Sequence, residues 1–176
     1  MVGRGYKTKF PGRVNYFTPE MDMGISIRQR DELVEYCKHL VRYEHDADFN
    51  GVKIRLYTNM EHVYDFWCDN WWPSTPFTLP HGVVYVIDDG GKFQIREFYD
   101  GPMKRPDVNA GGFYNSETKT AIIFNNDYYG QTKPTALGIA ADILEDQFGI
   151  LSVHGASGAI NGRGFLLIGP TNAGKT

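Results

Sequence analysis

The chain predicts a mixed α/β fold, and three observations carry that reading. "VKIRLYT" (Val52–Thr58) sets Val52, Ile54 and Leu56 against Lys53 and Arg55, the period-two alternation of a half-buried strand. From Pro134 to Phe148 apolar residues recur at helical spacing. "GFLLIG" is a short apolar run that leads into a glycine-rich turn. Strand, helix and strand thus follow one another, as layered α/β domains require.

Taken in order, residues 1–24 are rich in Gly, Pro and charge and read as loops around short strands. From Asp31, Leu33, Cys37, Leu40 and Val41 form one apolar stripe, so a helix is expected there, with "HDADFNG" ending it. Val52–Thr58 follows as a strand. Thr58 and Glu61 have capping-box spacing before a helix with Val63, Phe66, Trp67 and Trp71 on one face; Pro73 and Pro76 stop it. "GVVYVID" and "KFQIREFY" flank "DGG", which predicts a hairpin with Asp89-Gly90 at its turn. "KTAIIFN" (Lys119–Asn125) is a strand. Pro134 then suits the first turn of a helix with Leu137, Ala140, Ala141, Leu144 and Phe148 as its buried stripe. Gly149 stands where a left-handed C-cap is wanted. "ILSVHG" reads as a strand, and a Gly-rich connection with Asn161-Gly162 leads to "GFLLIG".

Composition narrows the function. Apolar residues make up 41% of the 176, enough for a core, and an aromatic share of 14% argues against disorder. A net charge of -3 lacks the basic excess of a nucleic-acid surface. No apolar run approaches the roughly 20 residues of a membrane helix. The basic N-terminus has no apolar stretch behind it, so no signal peptide is expected. Cys37 and Cys68 stand apart without metal-ligand spacing and read as buried thiols in a reducing cytosol. A soluble cytoplasmic protein is the expectation.

The chemistry-bearing motif is "GPTNAGKT": Gly169, Pro170, Thr171, Asn172, Ala173, Gly174, Lys175 and Thr176 fit G-x-x-x-x-G-K-[ST]. Phosphate oxygens need several converging N–H donors, and glycine lets the backbone approach that closely. Lys175 would reach the β- and γ-phosphates, and Thr176 would offer its hydroxyl to Mg²⁺ or Mn²⁺. An apolar strand running straight into Gly169 is the context such a loop requires. His154, read at the end of a strand, either ligates a divalent metal shared with Thr176 or is a hydrogen-bonded structural residue. "HDAD" (His45–Asp48) reads as a solvated loop. Trp67 and Trp71 read as core before base-stacking platforms, and Asp88-Asp89 as a turn. Arg4, Lys7 and Lys9 are either solvated or an anion clamp.

Four segments resemble ATP-dependent phosphoenolpyruvate carboxykinase, in the superfamily it shares with HPr kinases. "GRGYKTKF" is similar to G-R-S-P-K-D-K-[FY], and "VKIRLYTNMEHVYDFWCDNWW" to a strand–helix segment V-R-x-[IV]-T-E-x-A-W-x-x-x-F. "FYNSETKTAIIFNNDYYGQTK" resembles the approach to W-Y-x-G-E-M-K-K, and "SVHGASGAINGRGFLLIGPTNAGKT" resembles M-H-x-S-A-N…FFGLSGTGKT. HPr kinases likewise carry a His-Gly before the P-loop.

The resemblance implies that Arg4 binds substrate carboxylates and that Tyr128 sits beside the carboxylate or CO2. It makes His154 and Thr176 metal ligands and Lys175 the holder of the transferring phosphoryl group. The reaction implied is decarboxylation of oxaloacetate, with the enolate capturing the γ-phosphoryl of ATP. There are departures. The family's Lys-Lys pair, whose second lysine ligates the metal, is Lys133-Pro134 here, so either Lys133 substitutes or the metal site is altered. Gln131 replaces Glu, and P-T-N-A replaces L-S-G-T.

The expected organisation is an N-terminal α/β substrate-binding-type domain over 1–149, with the start of a P-loop domain over 150–176. The expected activity is ATP-dependent phosphoryl transfer of carboxykinase type on a small dicarboxylate, with Mg²⁺ or Mn²⁺. The alternatives are an HPr kinase-like kinase of a protein or small-molecule hydroxyl, and a non-catalytic nucleotide-binding or interaction module. A P-loop should open a helix, so a chain continuing past Thr176 is also expected.

Overall fold

Ser26 starts the first helix. Its hydroxyl accepts the Gln29 amide while the Gln29 side chain accepts the Ser26 amide, a reciprocal capping box. The computed structural model describes residues 23–75, 78–103 and 108–169. After β1 (Met23–Gly24), α1 therefore spans Ile27–Lys38, starting ahead of Asp31, where apolar spacing alone places it. Leu33 and Cys37 are its buried stripe.

The stretch expected as a helix-ending loop is a strand. β2 (Tyr43–Phe49) pairs antiparallel with β3 (Val52–Thr58) across Asn50-Gly51, both at positive φ (57° and 94°). "HDAD" is not solvated, because Asp46 lies opposite Arg55 in the register and pairs with it and with Lys53. Lys53 itself is buried, so β3 is covered on both faces and is not half-buried.

The expected capping box at Thr58 and Glu61 does not form. Thr58 Oγ1 instead donates to the Val86 carbonyl and accepts the Met60 amide, and Met60 becomes the N-cap of α2 (Glu61–Asn70). Val63 and Trp67 are buried, Phe66 and Trp71 partly so, and Trp72 on β4 (Trp72–Pro73) is 82% exposed. Pro76 lies outside the described residues.

β5 (Gly82–Ile87) makes no hairpin with "KFQIREFY", whose core is the short helix α3 (Ile95–Phe98). The Asp89 carboxylate accepts the amides of Gly91, Lys92 and Phe93, which bends the chain away from an antiparallel return. β6 (Gly111–Asn115) and β7 (Thr120–Phe124) form an antiparallel pair, followed by α4 (Tyr129–Phe148). Pro134 lies in the second turn of α4, not the first. The buried stripe is Thr132, Ala136, Ile139, Ala140 and Ile143, while Leu137 and Phe148 are 45% and 55% exposed. Gly149 closes the helix in the left-handed region (φ 63°), as expected.

The sheet order is β1-β6-β7-β5-β3-β2-β4, with β3, β5 and β7 parallel in its centre. The fold is thus mixed α/β. Alternation on β5 and β7 sends Val84, Val86, Ala121 and Ile123 to a core under α2 and α4. Tyr85, Ile87, Ile122 and Phe124 face a second core under α1 and α3. Central strands apolar on both faces are what a sheet sandwiched between helix layers needs.

"ILSVHG" is not a strand: residues 150–154 are irregular and exposed. The strand lies one step on, where β8 (Gly155–Ile160) and β9 (Arg163–Ile168) form a two-stranded hairpin. Asn161 and Gly162, at φ 50° and 76°, supply the two left-handed residues of a tight hairpin turn, and that turn sets the register. Ile160 and Phe165 to Ile168 are all more than 40% exposed. Among the described residues, no helix is long and apolar enough to cross a membrane.

Candidate functional site

In α/β sheets, ligands settle at the carboxyl ends of parallel strands, where helices begin. Here those ends are Thr58–Asn59, Ile87–Asp89 and Phe124–Asp127, three apolar runs that each turn abruptly polar. Side-chain amides latch them together. Asn59 Nδ2 donates to the Asp88 carbonyl at 2.7 Å, and Asn59 Oδ1 accepts the Asp88 amide at 3.0 Å. Asn125, held at φ 53°, accepts the Asp89 amide and donates to the Asn109 carbonyl. His62 Nε2 donates to the Asp127 carbonyl at 2.7 Å, tying the first turn of α2 to the approach of α4. These amides and His62 were not singled out from sequence, although "TN", "DDGG" and "NND" after apolar runs were the available signal.

Both helix starts are open. Met60 and Tyr128 are the N-caps of α2 and α4, and neither side chain accepts a bond from the first turn. In the 20-residue α4 the Gln131 amide turns back to the Tyr128 carbonyl at 2.9 Å, and no side-chain cap covers the helix start at the end of β7.

Tyr128 stands at this opening, 47% exposed, with its ring folded back over Gly130. A methyl group at Gly130 would fall within that ring, so glycine there makes room for this pose. Lys133 is exposed, and its Nζ stands 5.6 Å from the centre of the Trp71 ring, a cation–π pair across the α2–α4 seam. Tyr128 and Lys133 thus share one end of α4, but five residues of helix turn them about 140° apart. Tyr129, between them, stacks on Phe66 with ring centres 5.3 Å apart. Burial pushes its phenol well above the ordinary tyrosine range, against the indole of Trp71, which faces it without reaching hydrogen-bond geometry.

The other candidate residues lie elsewhere. His154 is exposed in the irregular stretch before β8, and among the described residues no hydrogen bond or ion pair joins it to Tyr128 or Lys133. Gly169 directly follows β9. Arg4 and Pro170, Thr171, Asn172, Ala173, Gly174, Lys175 and Thr176 lie outside the described residues. Of the implied metal ligands, His154 and Lys133 share no hydrogen bond or ion pair among the described residues, and the Lys133 Nζ stands over the Trp71 ring. No cluster of three or more His, Cys, Asp or Glu side chains suited to a metal occurs among the described residues.

The remaining candidates are structural. Asp88 and Asp89 accept loop amides, as their reading as a turn requires. Trp67 is core. Cys37 is buried, and burial raises its thiol to about 12; Cys68 is only half-buried, correcting the expectation of two buried thiols. No protein-family model matches the chain, and no curated protein matches its sequence.

Proposed function

We propose that this chain carries an ATP-dependent phosphoryl-transfer function of the carboxykinase and HPr kinase kind. The oxaloacetate carboxykinase reaction, giving phosphoenolpyruvate, CO2 and ADP, is the leading assignment. One observation carries it: β9 ends at Ile168, and the next residue, Gly169, opens a complete G-x-x-x-x-G-K-T signature. In this reading the Gly169–Thr176 amides cradle the phosphates, Lys175 neutralises charge on the transferring group, and Thr176 and a divalent ion complete the nucleotide site. The 1–149 region supplies the substrate end, with Arg4 on the carboxylates and Tyr128 and Lys133 at the α4 opening. A site of rigid, amide-latched loops is suited to positioning a small anion. His154 would join the metal only if the hairpin closes on α4.

Pro134 favours a second assignment, an HPr kinase-like transfer to a hydroxyl. It stands where the carboxykinases have their metal-ligating lysine, and its ring nitrogen has no lone pair to give.

The test is an assay with ATP, Mn²⁺ and oxaloacetate on the longest form of the protein that its source cells express. CO2 and phosphoenolpyruvate should form, and Lys175→Ala should abolish both. ADP that appears only with a hydroxyl acceptor would select the kinase. No turnover with any acceptor, and no change on Lys175→Ala, would leave a non-catalytic nucleotide-binding or interaction module.

A further inference from the structure

Six buried side-chain polar atoms have no hydrogen-bond partner among the described residues, and four of them belong to α2, its C-cap and the start of α4. They are Trp67 Nε1, Trp71 Nε1, Tyr129 Oη and Thr132 Oγ1. The Trp67 and Trp71 rings lie 6.3 Å apart, and Trp71 faces Tyr129 across the seam. Thr132, fully buried, lies one turn beyond Tyr129 on the same face of α4. Its Cα–Cβ bond tilts toward the uncapped N-terminus of that helix. An unpaired buried donor is costly, and native folds leave few of them. Four on one seam call for a shared acceptor.

The chemistry of that acceptor follows from the donors. An indole N–H can only donate, as can helix amides and the Lys133 ammonium, while the two hydroxyls can turn to donate. What complements such a set is an acceptor-only group carrying negative charge. One lysine and one helix N-terminus supply the positive potential that each singly charged carboxylate group needs. Phe66, stacked on Tyr129, and the Trp71 ring make the seam's surroundings aromatic, which suits the flat face of a carboxylate better than a tetrahedral anion.

We propose that the α2–α4 seam is a carboxylate-binding site, in which Trp67, Trp71, Tyr129 and Thr132 donate to the carboxylate and Lys133 balances its charge. This deepens the reading of the α4 opening as the substrate end and rests on it for Lys133, but it needs neither nucleotide nor metal.

The chain has three tryptophans, so three indole N–H signals report on the idea, and Trp72, 82% exposed on β4, is the internal control. Malonate titrated into the ¹⁵N-labelled protein at constant ionic strength, without ATP or metal, should shift the Trp67 and Trp71 signals saturably and leave Trp72 in place. Inorganic phosphate should bind more weakly. Thr132→Val, which keeps the shape and removes the donor, should weaken malonate binding roughly tenfold or more. Lys133→Gln, an exposed change that leaves the core intact, should weaken it as well. The proposal fails if Trp67 and Trp71 move no more than Trp72, if chloride or phosphate acts as strongly as malonate, or if neither variant alters the titration. The carboxykinase assay can fail while this titration succeeds, so the two ideas are judged separately.

Discussion

Asp46 lies between two cations, and its neighbour Lys53 shows how a charge is kept inside this sheet. The Lys53 ammonium has three protons and three acceptors: Asp46 at 2.8 Å and the carbonyls of Thr75 and Thr78. Asp46 also takes a two-pronged bond from Arg55, at 2.7 and 2.9 Å. Burial pushes the Asp46 carboxyl up, but the bonds from Arg55 and Lys53 outweigh it and hold it below its ordinary range. Asp89 follows the same rule: burial raises it, while the Tyr36 hydroxyl and the amides of Phe93 and Gly91 bring it lower. A carboxylate with a depressed native pKa stabilises the fold above its unfolded value, roughly 3.9 for Asp. That stabilisation is lost as pH falls through the native value. The melting temperature should therefore hold steady down to about pH 5 and fall below about pH 4. In Asp89→Asn the midpoint at neutral pH should drop and the acid limb should become shallower; an acid limb identical to wild type would refute the assignment. Asp46→Ala strands the Lys53 charge in the core and should cost about 3–5 kcal/mol in chemical denaturation.

Helix α4 shows how far local signals reach. Its C-terminus was legible because Gly149 obeys a rule that acts within one turn. Its N-terminus was not, because Pro134 fits a first turn equally well on paper, while tertiary packing extends the helix back to Tyr129. The buried face moved with it, from Leu137 and Phe148 to Ile139 and Ile143. In the second turn, Pro134 removes the hydrogen bond that the Gly130 carbonyl would accept. Pro134→Ala should accordingly raise stability, by up to about 3 kcal/mol. A proline in the first turn would give almost no gain, so an unchanged midpoint would favour the shorter helix. The hairpins tell the same story from the other side. Asn50-Gly51 and Asn161-Gly162 both form tight turns, yet Glu44, Asp46 and Asp48 give β2 the polarity of a loop, and β8 is built mostly of small residues, so neither first strand stands out from the sequence.

Across the whole molecule, both core clusters draw on residues up to Leu144 and on none from β8 or β9. The hairpin instead presents apolar side chains outward on both faces, as strands do when a sheet is meant to be covered on both sides. Ending the chain at Gly149 should leave the melting temperature within about 3 °C of the 176-residue chain. A larger drop would show that the hairpin stabilises the main sheet. The shorter chain should also self-associate less in sedimentation, since it loses an exposed apolar ribbon.

Residue order alone was enough for the mixed α/β class, the strands Val52–Thr58 and Lys119–Asn125, the cap at Gly149 and the phosphate-loop signature. Each rests on an interaction spanning a few residues or on an apolar period, and such rules need no knowledge of the rest of the chain. Packing decided the remainder: that "HDAD" is a strand, that β5 lies between two parallel partners, and that Asn59, Asn125 and His62 latch the strand ends. It also placed Lys133 over Trp71 and left four buried polar atoms of α2, its C-cap and α4 without a partner among the described residues. Those outcomes depend on which distant segment comes to lie alongside, and that is chosen by the summed burial of two cores rather than by any local pattern.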